Sequence, residues 1–420
     1  MSYRILMIAP TSFFGDYGCH VRILEETLAL QRLGHRVRIV TYPRGRDFPN
    51  LEIERTMPIP WRVNYEVGSS RHKLGLDLFL TTRALRAARR FKPDIIHAHL
   101  HEGALIGALV SRVFGKPLVF DFQGSLTNEM IDHHFLNPRG RLFQPLSQLE
   151  KIIDHTPNLI FTSSQNAVRV LTDEFNVPTQ KIVPIADAVD TERFHPLAAA
   201  QTPRLQELRE YLGIPRMRPV VVYLGLLADY QGTRVLLDAA EKLVRREVDT
   251  HFLILGFPGV AVYADYARKL GIAHRVSLPG KIPYDDAPTW LALGDIAVAP
   301  KMSLTEGNGK ILNYMAMGLP VVAFDHPVAH EYLADDGVYA TLGDANALAS
   351  ALESLLSDAK RRHAIGARLR ARALEKFAWD HSAKKIEQAY NALLQGKTVA
   401  NFTPPESARV SSSQKSPYAK

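Results

Sequence analysis

One stretch of the chain concentrates residue types suited to an anionic ligand. It reads Thr305-Glu306-Gly307-Asn308-Gly309-Lys310-Ile311-Leu312-Asn313-Tyr314-Met315-Ala316-Met317-Gly318-Leu319-Pro320. An apolar segment ending at Pro300 precedes it and reads as a buried strand. Gly307 and Gly309 let the backbone approach a ligand closely. A helix predicted to begin near Lys310 turns unpaired N–H groups and the positive end of its dipole toward that loop, where a phosphate would be held. Lys310 adds a full cation, and Glu306 adds a carboxylate. A bare strand-loop-helix connection would need the glycines for its turn, but not the Glu, Lys and Asn around them. Gly318 and Pro320 then end the helix before the apolar run Val321–Phe324.

Other candidate positions lie at the ends of apolar runs elsewhere. Gly15-Asp16-Tyr17-Gly18 separates the first strand from its helix. It is not the G-x-G-x-x-G fingerprint, and the second strand ends in Tyr42-Pro43-Arg44 with no acidic ribose ligand, which argues against NAD. His97, His99 and His101 alternate as if on one strand face, but would spread over ~13 Å, too far to share one zinc ion. No Asp-x-Asp carboxylate pair suited to a divalent cation occurs, so the expected chemistry needs no metal.

The elements that must position these residues alternate between short apolar runs and amphipathic stretches. Residues 4–9, 36–42, 94–97, 118–122, 159–163 and 182–185 read as strands, and His20–Leu33 reads as a helix capped by Gly34. A helical connector, 203–212, precedes a second series of strands at 220–224, 252–255, 276–278, 296–299, 321–324 and 339–341. Helices are expected at 233–246, 345–357 and 381–394. This rhythm predicts α/β architecture: two Rossmann-like, doubly wound parallel-sheet domains facing a cleft. The boundaries are 1–195 and 196–380, with a C-terminal helix 381–395 packing back toward the first domain and a disordered tail 396–420.

The 420 residues exceed what one core usually holds, and 46% hydrophobic with 22% charged residues is an ordinary globular composition. The net charge of +8 divides evenly about residue 195, without a basic stripe interleaved with aromatics, which argues against nucleic acid. No apolar stretch reaches membrane-spanning length. The basic run Arg83–Lys92 reads as a helix with Leu85 and Ala88 buried, and leaves open a peripheral contact at the inner face of a membrane. A single cysteine, Cys19, and a start without an export pattern point to the cytoplasm.

Several of these motifs together resemble family 4 of the retaining glycosyltransferases, whose two-Rossmann-domain architecture is called GT-B. The marks are Gly34-His35-x-Val37, Pro93-Asp94-Ile95-Ile96-His97-Ala98-His99, Val189-Asp190-x-x-x-Phe194-x-Pro196, and Tyr314-Met315-Ala316-x-Gly318-x-Pro320-Val321-Val322. The resemblance implies a nucleoside-diphosphate sugar held by the second domain, with Glu306 and Lys310 at the reacting centre. Gly307, Asn308, Gly309, Ile311, Leu312 and Asn313 would form the donor loop and helix. Gly225, Gln231, Gly256, Lys281 and Ile282 would line the rest of the donor site. Gly15, Asp16, Tyr17, Gly18, Gln123 and Glu102 would face the acceptor. The match departs in three places. Asn313 stands where the family has a second glutamate, one residue early. Leu226 and Gln231 stand where it has an Arg and a Lys on the diphosphate. Gln123 replaces a His that often contacts the transferred sugar.

The expected activity is therefore metal-independent sugar transfer with retention, from a nucleoside-diphosphate sugar to a polysaccharide, lipid carrier or small metabolite. Loss of the usual cations keeps a second reading open, a non-catalytic GT-B scaffold or partner subunit; a sugar-nucleotide epimerase on the same fold is a third.

Overall fold

The computed structural model describes residues 2–58, 73–132, 135–197, 202–303 and 307–397. Its first sheet contains β1 (Arg4–Ala9), β2 (Arg36–Thr41), β3 (Glu52–Arg55), β4 (Ile95–His99), β5 (Leu118–Phe122), β6 (Leu159–Thr162) and β7 (Ile182–Pro184). All pair in parallel, in the order β3-β2-β1-β4-β5-β6-β7. The second sheet contains β8 (Val220–Leu226), β9 (His251–Phe257), β10 (Val276–Gly280), β11 (Ile296–Ala299), β12 (Val321–Phe324) and β13 (Val338–Ala340). It is also parallel, ordered β10-β9-β8-β11-β12-β13.

Helices cover both faces of each sheet, so the central strands are buried on both sides. The runs IIHAH of β4 and LVFDF of β5 are accordingly buried throughout, without alternation. In each sheet the order reverses beside the first strand, between β1 and β4 and between β8 and β11. Loops leaving the two strands diverge there and open a crevice, the usual ligand position in such sheets.

Two details differ from the sequence expectation. β3 was not anticipated, because its sequence EIER is polar: Arg36 and Arg38 pair with Glu52, and Arg38 also pairs with Glu54, so ionic contacts flank the ladder where apolar ones were sought. His101 does not continue β4; the chain turns into the helix Leu100–Phe114 immediately after His99. His97 and His99 stack at 4.7 Å, while His101 packs against Phe120 and Phe122.

The last helix, Trp379–Leu394, leaves the second sheet and lies against the helix Gly18–Arg32 of the first. A backbone bridge between Val189 and Ala378 carries the crossing. Tyr390 Oη sits 2.6 Å from His97 Nδ1, and His35 pairs with Glu387 at 3.3 Å. The Gly34-His35 mark thus helps clamp the C-terminal helix. Among the described residues no helix is long and apolar enough to cross a membrane. The tail beyond Lys397 lies outside the described residues.

Candidate active site

The two crevices merge into a cavity of about 380 Å³ between the sheets. On the second-domain side its wall is built by Gly225, Gln231, Gly256, Ile282, Lys301 and the loop Gly307–Lys310, with Asn313 one turn further on. Glu306 lies outside the described residues. The short helix Lys310–Ala316 presents Lys310 and Asn313 to the cavity. Ile311 and Leu312, placed in the donor site by resemblance, are instead fully buried in the core, because they fall on the opposite side of the helix.

Lys310 reaches back over the end of β8. Its ammonium donates to Gln231 Oε1 at 2.8 Å and to Tyr223 Oη at 3.2 Å, 4.5 Å above the Tyr223 ring. A second cation, Lys301, is almost wholly buried and donates to the Gly307 carbonyl at 2.9 Å while also lining the cavity. Sequence reading passed over Lys301; the signal was a lysine one residue beyond the apolar strand end. Asn308 is buried and lines the cavity, yet neither of its carboxamide atoms finds a hydrogen-bond partner among the described residues. A buried amide in that state costs free energy unless a ligand or water completes it. Ser163 Oγ, on the facing wall, is in the same condition.

The first-domain side centres on Arg22, which sequence reading also missed. From the helix Gly18–Arg32 its guanidinium forks onto Asp121, with Nη2 2.7 Å from Oδ1, and reaches Asp187 at 2.9 Å. Burial opposes the charged guanidinium, but Asp121 and Asp187 more than offset this and raise its pKa. The Asp121 carboxyl is held well below the usual range: burial pushes it up, and Arg22 and His99 pull it down further. Asp121 also accepts from Gln123 Nε2 at 2.9 Å, which orients that carboxamide at the cavity wall. Asp187 in turn accepts from Tyr332 Oη at 3.2 Å and lies against Gly307. This buried network therefore joins the first domain to the loop Gly307–Lys310.

Asp16, Tyr17, Gly18 and Glu102 also line the cavity. Gly15 does not; its N–H donates to His20 Nδ1 at 2.6 Å and so shapes the loop from behind. Burial, aided by Lys281, drives the His20 pKa down to about 3 and keeps the ring neutral for this acceptor role. Lys281 likewise sits away from the cavity wall, 3.1 Å from Asp16 Oδ2, where it ties the first-domain loop to the second domain. Asp16 also accepts from the Tyr284 N–H at 3.1 Å. The histidines fall into two separate buried groups, Glu26–His97–His99 and His101–Glu150–Asp154, each pairing imidazole with carboxylate.

This arrangement can be compared with known proteins. The family profile "Glycosyltransferase Family 4" matches residues 18–193, and "Glycosyl transferases group 1" matches residues 218–358. The chain belongs to this glycosyltransferase family. The transferase is 26% identical to D-inositol 3-phosphate glycosyltransferase of Corynebacterium aurimucosum, over 89% of this chain and 90% of the relative. It is 31% identical to a GDP-mannose-dependent phosphatidylinositol monomannoside mannosyltransferase of Mycolicibacterium smegmatis, over 53% of this chain and 58% of the relative. Among solved structures, sucrose-phosphate synthase from Thermosynechococcus elongatus superposes with a TM-score of 0.79 at 17% identity, covering 94% of this chain and all of that one. Anabaena HepE in complex with UDP-glucose superposes with a TM-score of 0.74 at 18% identity, covering 93% of this chain and all of that one. These likenesses establish the GT-B fold, and the named relatives establish that this glycosyltransferase is an enzyme.

Proposed function

We propose that the enzyme transfers a sugar from a nucleoside-diphosphate sugar to an acceptor hydroxyl, with retention at the anomeric carbon and without a metal ion. The observation that carries this reading is the junction of Lys301, Lys310 and the unpartnered Asn308 carboxamide around one cavity wall. Two ammonium groups can balance the charge of a diphosphate where other transferases place a divalent cation. The helix Lys310–Ala316 has only seven residues, so its dipole is a minor contribution beside these two charges. The similar HepE structure is a complex with UDP-glucose, which supports the same donor class here.

In this mechanism the bond between the anomeric carbon and the diphosphate oxygen breaks, and a bond to the acceptor oxygen forms on the same face. The acceptor proton passes to the leaving phosphate oxygen. No side chain need act as nucleophile; the cations stabilise the negative charge that grows on the leaving group. Glu306, by its place before Gly307, orients the sugar. The acceptor enters beside Asp16, Tyr17, Gln123 and Glu102. Nucleotide-sugar chemistry and the lone Cys19 suit a cytoplasmic setting.

Saturation-transfer NMR against UDP, GDP, ADP and their sugars, with EDTA present, tests this directly. Binding of one nucleotide series and turnover to an α-linked product from an α-linked donor is the expected result. Silence across the panel, dependence on a divalent cation, or an inverted product overturns it, as does unchanged binding and transfer by Glu306→Ala.

A further inference from the structure

The net charge divides evenly between the two halves of the sequence, but it is polarised on one surface of the first domain. The helices Lys73–Phe91, Leu100–Phe114 and Phe143–His155 lie side by side on one face of the first sheet, with Leu100–Phe114 between the other two. Their inner sides bury Leu80, Ala84, Ala104, Val110 and Ile153 as an amphipathic helix should. Their outer sides are not polar. Leu105, Leu109 and Val113 recur every fourth residue along the central helix, all exposed, the first by 55%. Leu142, Leu149 and Ile152 continue the apolar surface on the neighbouring helix and the turn before it, with exposures of 68%, 41% and 65%. Leu78 and Phe79 extend it on the other flank. Scattered exposed apolar residues are normal, but a surface shared by three adjacent helices is not.

The exposed charges on these helices and the loop before the third have one sign, while Asp173 and Glu174 lie exposed beyond the third helix, where Glu174 accepts from Asn128. Arg86, Arg89, Arg90, Arg112, Arg139 and Arg141 are exposed, and none of their guanidinium groups makes an ion pair among the described residues, whereas Arg83 on the first of these helices is paired with Glu54. Among the described residues from 75 to 158 no Asp or Glu is exposed. Asp77 is held by Tyr42 and Asp94 by Arg4, while Glu150 and Asp154 are buried beneath His101. Glu102 and Glu129 line the cavity. Apolar side chains flanked by unpaired guanidinium groups match a lipid bilayer carrying anionic headgroups, into which the leucines insert while the arginines stay at headgroup level. A protein partner or a second copy would have to bury those arginines against carboxylates, and the three helices themselves expose none for a symmetric pairing.

We infer that this three-helix face docks the enzyme on an anionic membrane and that the acceptor is presented there, attached to a lipid. The acceptor part rests on the proposed function. Leu76, Leu100 and Leu126, near the starts of the helices on this side of the sheet, line the same cavity that holds the donor loop. The docked face therefore lies beside the acceptor entrance, and a lipid-linked hydroxyl can reach it without leaving the bilayer.

Co-sedimentation of the full chain with phosphatidylcholine vesicles, with and without about one third phosphatidylglycerol, tests the docking; the expected result is at least about tenfold tighter binding to the anionic vesicles, lost at high salt. The variant Leu105→Glu/Leu109→Glu/Ile152→Glu, all surface positions, should keep its circular-dichroism spectrum and its nucleotide binding while vesicle binding falls at least tenfold. Arg112→Ala/Arg141→Ala should weaken vesicle binding by about 25-fold. The inference is overturned if anionic vesicles do not bind, if the triple variant binds them as the unmodified protein does, or if sedimentation velocity shows a dimer without lipid that the triple variant dissolves. Failure with vesicles while nucleotide binding persists removes the docking alone. Vesicle binding with no nucleotide binding removes the proposed function, and with it the acceptor part, but leaves the docking. Transfer that is indifferent to vesicles when a lipid-linked acceptor is supplied overturns membrane presentation.

Discussion

The Lys310 ammonium donates to the Gln231 carboxamide 2.8 Å away, bringing a cation to the place on the β8 loop where family resemblance puts a lysine. Tyr223 supports it from below through its ring and hydroxyl. A charge-assisted hydrogen bond contributes about 1.5–3 kcal/mol, so Lys310→Met should weaken binding of the cognate nucleoside diphosphate by roughly 10- to 150-fold. Gln231→Lys should not compensate: it sets two ammonium groups side by side and removes the acceptor that orients Lys310. Isothermal titration of the three proteins checks both statements, and tighter binding by Gln231→Lys would show that Lys310 is not already filling that position.

Gly307 is required by its neighbour across the cavity. A Cβ there would stand 2.3 Å from Asp187 Oδ2, and Asp187 cannot yield because Arg22 and Tyr332 hold it. Gly307→Ala must therefore displace the donor loop, and nucleotide affinity should fall by at least about tenfold with little loss of stability. At Gly309 the corresponding contact is an ordinary 3.6 Å. Gly309→Ala should bind nucleotide within about threefold of the unmodified protein. Titration alongside thermal melts separates the two glycines.

Both sheets were legible because their central strands are continuous apolar runs, as in Ile95–Ile96 and Val321–Phe324, and because Gly34 and Gly318 mark helix ends in left-handed conformations. The loop Gly307–Lys310 was legible as a cavity wall, since its glycines, Asn308 and Lys310 are contiguous. What stayed hidden depends on partners far away in the chain. Arg22 looks like one more polar residue on an amphipathic helix until Asp121 and Asp187, 99 and 165 residues on, close around it. β3 is polar because arginines on β2 flank its carboxylates. Ile311 and Leu312 could have been excluded by helix phase alone, since Lys310 and Asn313 already occupy the cavity-facing side.

Removing Arg22 should expose how much the interdomain network depends on it. Arg22→Met leaves Asp121, fully buried, and Asp187 without their countercharge, and stranding a buried charge costs about 3–5 kcal/mol. The melting temperature should drop by about 6–20 °C. Arg22→Met/Asp121→Asn removes one of the stranded charges and should recover part of that loss. Thermal unfolding followed by circular dichroism checks the pair; equal destabilisation by the single and double variants would place the cost in packing and not in charge.

His101 makes stability depend on alkaline pH. Its Nε2 lies 3.3 Å from Asp154 Oδ1 and 3.5 Å from Glu150 Oε1, all three residues being buried. Burial opposes the imidazolium, but the paired Asp154 carboxylate, reinforced by Glu150, outweighs it and pushes the pKa up to about 9 from 6.5. The folded state therefore holds this proton more tightly than the unfolded chain does. The stabilisation is complete below about pH 6.5 and disappears as pH rises through about 9, a loss of about 2–4 kcal/mol. His101→Gln keeps a donor for Asp154 but cannot titrate, so it should be less stable than the unmodified protein at about pH 6 and should lack most of the decline toward about pH 9.5. Urea denaturation across that range measures both curves. Parallel curves would mean that His101 is uncharged in the fold, and that the Asp154 and Glu150 carboxylates are balanced by the backbone N–H groups of Leu126 and Thr127, which bond Glu150, and not by an imidazolium.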